Sequence, residues 1–164
     1  MKLYFLNKFN FLCISLMFFI FYSSSIRSET ITEVKTLDFG VIVLKNNNAN
    51  YVMNMTFSGN ITADPEIIII ESGHPAEYDL SDFPPNTQLT IDIIAPDTET
   101  NLAGAIDPST SQFTITNYHT SSSIVTTDAL GNATISVGAT LTSSGTGFYK
   151  DAIYFSYITI MVSY

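Results

Sequence analysis

The chain has 164 residues, 46% of them apolar in the broad sense, with fifteen acids against six bases, a formal net charge of −9 and a single cysteine. That length allows one ordinary domain with a packed core and no covalent staples. The acidic balance sets the surface against nucleic acid and anionic lipid, and the same charge serves plain solubility.

Residues 1–28 have the three parts of a secretory signal peptide: Lys2 and Lys8 in front, an apolar run from Phe11 to Tyr22, and a serine-rich exit. Cleavage is expected after Ser25 or Ser28. The apolar run is short of the roughly 20 residues that a membrane span needs, and Asn7, Lys8 and Asn10 block its extension upstream. Cys13 lies inside the run, behind Phe11 and Leu12, which is not where a lipoprotein carries its cysteine. Without the signal, about 136 residues remain as one domain, 29–164. No cysteine is left for a disulfide or a thiolate site. All fifteen acids follow Ser28 and only Lys35, Lys45 and Lys150 oppose them, a net charge of −12.

Residues 29–36 read as a polar, flexible lead. A first strand follows over 37–44, with Leu37, Phe39, Val41 and Val43 expected on one face. Residues 45–50 have turn chemistry and no apolar anchor, so they read as a loop. The next strand puts Tyr51, Met53, Met55 and Phe57 opposite Val52, Asn54 and Thr56. Ile67 to Ile70 are apolar on both parities, which suits a strand covered on both faces; left on an edge, such a run invites aggregation. Ala76, Tyr78 and Leu80 alternate with Glu77 and Asp79. Phe83-Pro84-Pro85-Asn86 then turns the chain, because two prolines cannot serve a central ladder.

Leu89, Ile91 and Ile93 make another half-buried strand, and residues 95–111 read as the longest loop. Phe113 and Ile115 mark a strand, and residues 118–123 a second polar loop. From Ala133 to Leu141 every odd position is apolar and every even one is Thr, Ser or Gly, the clearest period-2 signal in the chain. Residues 148–164 are dense in Ile, Tyr, Phe and Val, which favours extended chain.

That last stretch is apolar on both parities. Ile158, Ile160, Val162 and Tyr164 share one face; Tyr149, Ile153, Phe155, Tyr157 and Met161 fall on the other. Either the strand is covered on both sides, with or without a bulge that changes its facing, or one face awaits a partner. In the second case Phe155, Tyr157 and Met161 form an assembly face. Seven or eight strands at this spacing, with no helical period after the signal, predict an all-β, antiparallel β-sandwich.

Chemistry-bearing motifs are sparse. His74 precedes Pro75 and His119 lies in the Ser/Thr loop, neither with a second ligand at metal spacing. There is no Gly-x-Ser-x-Gly and no phosphate loop. Carboxylates gather at Asp64/Glu66/Glu71, Glu77/Asp79/Asp82 and Asp92/Asp97/Glu99, without the Asp-x-Asp-x-Asp-Gly pattern of a calcium loop. Asn54, Asn60 and Asn132 head glycosylation triplets that matter only in a eukaryotic secretory route. Tyr51, Tyr118 and Tyr154 could serve as sugar platforms in the absence of tryptophan. No catalytic, cofactor or metal site is expected.

Several segments occur in an order that resembles a bacterial exported family of unknown function, number 4402 among such domains. They are Leu37-Asp38-Phe39-Gly40, Gly73-His74-Pro75-Ala76-Glu77-Tyr78, Phe83-Pro84-Pro85-Asn86-Thr87, Leu130-Gly131-Asn132-Ala133-Thr134, Val137-Gly138-Ala139-Thr140-Leu141 and the terminal Val162-Ser163-Tyr164. The family is similar in layout to spore-coat-U-type and chaperone-usher pilin domains. The resemblance implies an immunoglobulin-like sandwich and a non-enzymatic, fimbria-like or cell-surface structural subunit, with no catalytic residues to transfer. The expected partners are further copies or other surface subunits, with no membrane insertion once the signal is removed. The expected location is the cell surface, periplasm or medium. A monomeric adhesin or carbohydrate- or protein-binding module is the rival expectation, with its function in the 95–111 loop. The polar 29–36 lead makes a poor donor strand.

Overall fold

The computed structural model describes residues 28–94, 101–102, 112–146 and 151–164. Among the described residues the chain forms thirteen strands and no helix. The signal peptide expected over 1–28 falls outside them apart from Ser28, as do Tyr149 and most of the 95–111 loop.

The long strand β11 (Ala133–Ser143) is where the alternating pattern is strongest, and it pairs with three other strands. Its inward residues Ile135, Val137, Ala139 and Leu141 are buried. The first half, from Ala133 to Val137, pairs with β6 (Ala76–Ser81). The second half, from Ala139 to Thr142, pairs with β3 (Val52–Met55). Val137 to Ser143 also pair with β9 (Phe113–Thr120). Two edge pieces complete this layer: β1 (Thr30–Lys35) on β6 and β4 (Ile61–Ala63) on β3. Every pairing is antiparallel.

Three smaller sheets complete the fold. One has the order β10 (Ile124–Thr126), β7 (Gln88–Ile94), β13 (Thr159–Ser163). The second is a ribbon of β2 (Asp38–Leu44) and β5 (Ile67–His74), and the third pairs β12 (Tyr154–Phe155) with β8 (Asn101–Leu102). The interior correspondingly has two apolar clusters. Leu80, Leu89, Ile91, Ile135 and Val137 form the first, against which Ile158, Ile160 and Val162 of the terminal segment pack. Leu44, Met53, Ile67, Phe113 and Leu141 form the second. Each fully buried aliphatic side chain contributes about 1.5–3 kcal/mol relative to exposure, enough to hold a sandwich-like domain without a disulfide. Leu37 and Tyr118 touch both clusters.

Several expectations are corrected. Residues 29–36 are not a flexible lead: β1 pairs with β6 from Thr30↔Ser81 to Lys35↔Glu77. All six of its residues are exposed, so backbone pairing holds it, aided by the Lys35–Glu77 ion pair at 2.7 Å. Hydrophobic periodicity could not reveal such a strand. On β2, Phe39 packs inward, whereas Val41 is 49% exposed and Val43 is exposed too. Gly40 takes φ +82° and the register shifts between Val41 and Ile42, a bulge that passes the inward role to Ile42 and Leu44. The Ile67–Ile70 run is covered on one face only: Ile67 and Ile69 pack inward, while Ile68 and Ile70 face out, Ile70 at 60% exposure. β9 continues through Thr120, so the loop expected at 118–123 shortens to 121–123. The strand count exceeds seven or eight because β1, β4, β8 and β10 carry too little apolar pattern to be read, and the terminal stretch divides into β12 and β13 with different partners.

Candidate functional site

The terminal segment combines exposure, neutrality and an open edge. From residue 152 to 164 there is no Asp, Glu, Lys or Arg. Ile158, Ile160 and Val162 pack on the first core cluster. The residues of the expected assembly face are all exposed, Tyr157 at 70% and Met161 at 52%. Phe155 and Tyr157 stand together, edge to face, with ring centroids 5.6 Å apart. Phe155 belongs to β12, Tyr157 to the connection after it, and Met161 to β13, opposite Asp92 of β7. They therefore flank a turn of the chain and do not share one strand face. Among the described residues, β13 pairs with β7 on one edge and no strand pairs its other edge.

Which backbone groups look out of that edge follows from one hydrogen bond. Ile91 N–H donates to Ser123 O at 2.9 Å, so Ile91 directs its backbone groups toward β10. Backbone direction alternates along a strand, which turns those of Asp92 toward β13, where its partner is Met161. Met161 is thus bound to β7, and Ile160 and Val162 direct N–H and C=O to the open edge. Tyr164 ends the segment against Phe83, centroids 6.0 Å apart, and its phenol donates to Glu29. That hydrogen bond holds the Tyr164 phenol above its ordinary pKa.

A second feature is a cleft of about 400 Å³ between β7 and β9. Asn117 takes φ +50°, and the β9–β11 register shifts between Gly138 and Thr140; the resulting bulge re-aims the residues that follow. Tyr118, His119 and Thr120 line one side, Ile91, Asp92 and Ile93 the other, with Ser123 beside them. The ring of His119 meets Phe57 edge-on at 6.3 Å, and its Nδ1 lies 2.8 Å from Asn117 O. His119 is therefore a half-buried strand residue and not a solvated loop histidine. Sequence reasoning missed the cleft because the bulge that forms it has no periodic signature.

The other residues singled out are engaged elsewhere. His74 is exposed, with Nδ1 3.2 Å from Pro75 O. Glu77 is paired with Lys35, and Asp79 accepts from Thr134 Oγ1 at 3.0 Å. Asp64 accepts from Val52 N–H at 2.7 Å. Tyr51 donates to Asn46 and Asn48, and Tyr154 packs on Phe113. Among the described residues no group of three or more His, Cys, Asp or Glu could hold a metal ion.

Fold and site together define an all-β, antiparallel sandwich-like domain whose strand β13 has, among the described residues, one unpaired edge. The chain belongs to the family described as Domain of unknown function (DUF4402), whose model matches residues 30–164. No curated protein and no solved structure gives a significant match.

Proposed function

We propose that the protein is a non-enzymatic structural subunit of a bacterial surface, exported by its signal peptide, that assembles through its terminal segment in a fimbria- or pilin-like manner. The observation that carries this reading is the exposure of the uncharged Phe155, Tyr157 and Met161 in the segment that ends in β13, whose outer edge no described strand pairs. Edge strands are normally blunted by charge, proline or a bulge, and apolar side chains exposed together mark interaction surfaces. The layout similarity expected between the family and spore-coat-U-type or pilin domains is in line with the same reading. The test is the mass of the purified chain in solution over a concentration series, with an unheated denaturing gel. Growth with concentration, reduced by Tyr157→Asp, is the expected result. A monomer at every concentration would overturn it.

The cleft favours a second reading, a monomeric binding module for a hydroxyl-rich ligand such as a saccharide. Asp92, His119 and Ser123 supply acceptors and donors beside the Tyr118 ring. Titration with a panel of methyl glycosides tests it: binding lost in Asp92→Ala by a chain that stays monomeric would favour this module over the subunit.

A further inference from the structure

The assembly reading leaves open how two copies meet, and β13 has a chemistry that answers. Its sequence, Thr-Ile-Met-Val-Ser, is symmetric in kind about Met161: hydroxyl residues Thr159 and Ser163 at the ends, β-branched Ile160 and Val162 inside them, and methionine at the centre. We propose that two copies of this chain pair β13 with β13, antiparallel, about a two-fold axis through Met161, which joins two three-stranded sheets into one of six. The inference rests on the assembly reading and specifies its geometry.

The backbone is set up for this register. Ile160 and Val162 direct their N–H and C=O to the open edge, as derived above from the Ile91–Ser123 hydrogen bond. With the axis at Met161, Ile160 of one copy faces Val162 of the other, so the outward groups meet as hydrogen-bonded pairs. Met161 then falls on the intervening non-bonded pair, where side chains come closest.

The side chains agree with it. Ile160 and Val162 pack on the first core cluster, so their cross-axis pairs carry that core from one copy into the next. On the outer face Thr159 meets Ser163, a hydroxyl pair of the kind that stabilises cross-strand contacts.

Charge selects the same place. Exported copies with a net charge of −12 repel each other, yet the chain carries no Asp, Glu, Lys or Arg from 152 to 164. The nearest acid on the sheet, Asp92 on β7, would stand three strand spacings from its symmetry mate, about 14 Å, beyond the Debye length at physiological salt; Glu29, off the sheet, meets the segment only at its end, where it accepts from the Tyr164 phenol. Pairing of this type is isologous and closes at two copies; further growth then falls to the Phe155–Tyr157 pair.

The test uses opposite charges at the axis. M161K and M161E each set like charges face to face and are expected to weaken dimerisation by about tenfold or more. An equal mixture of the two regains it in sedimentation velocity, and the neutral M161T keeps it. Met161 is half exposed, so M161K and M161T retain the β-sheet circular dichroism and melting temperature of the parent; M161E also stands opposite Asp92 of its own copy, so it is expected to melt somewhat lower while keeping the β-sheet signal. Association of the parent that M161K leaves unchanged, or a mixture no better than its parts, overturns the pairing; if Tyr157→Asp still reduces growth, assembly through the terminal segment stands. A parent chain that stays monomeric throughout overturns both.

Discussion

Gly138 of β11 lies against the backbone of β3 so closely that a Cβ at this position would collide with the carbonyl oxygen of Met55 and with Thr56 and Phe57 beyond it. Backbone cannot yield as a flexible side chain can. Gly138→Ala is therefore expected to destabilise the domain by about 3 kcal/mol, a fall of about 10 °C in melting temperature. Calorimetry checks this, and an unchanged melting point would show that β3 and β11 are not apposed here.

Thr127 is a buried polar residue that holds the turn after β6. Its hydroxyl donates to Pro84 O at 2.7 Å and accepts from Thr87 N–H at 2.9 Å. Thr127→Val keeps the shape and strands both partners, so a loss of about 1–3 kcal/mol is expected in urea unfolding, read as a lower midpoint at constant slope.

Tyr78 couples stability to alkaline pH. Burial first, then the charge of Glu33 and the hydrogen bond donated to it at 3.3 Å, raise the phenol from 10.0 to about 12. Below pH 10 the phenol is neutral whether the chain is folded or not, and its contribution is complete. Between pH 10 and 12 the unfolded chain loses the proton more readily, and stability falls. Tyr78→Phe should cost about 1 kcal/mol at pH 8 and flatten the decline in melting temperature above pH 10; an equally steep decline would contradict the linkage.

Ile70 is 60% exposed on the two-stranded β2–β5 ribbon. A lysine there interrupts an apolar, β-prone run without touching the core. Ile70→Lys is expected to change stability by no more than about 0.5 kcal/mol while reducing aggregation on heating, measured by light scattering beside the melting curve.

Period-2 alternation made the sandwich-like class legible without coordinates: Ile135, Val137 and Leu141, like Leu89 and Ile91, are buried where alternation puts them, because burial on one sheet face acts on every second residue. Local composition also marked the Pro84-Pro85 turn and the apolar end of the chain. Tertiary pairing decided the rest. Whether Val41 faced in or out depended on a bulge at Gly40, whether Ile70 was covered depended on whether a second layer packed on its face of the ribbon, and β1 became a strand because β6 offered it a ladder. The cleft beside Tyr118 and the open edge of β13 likewise arise from partners distant in sequence, since a strand's own residues say which side chains share a face but not which neighbours will cover it.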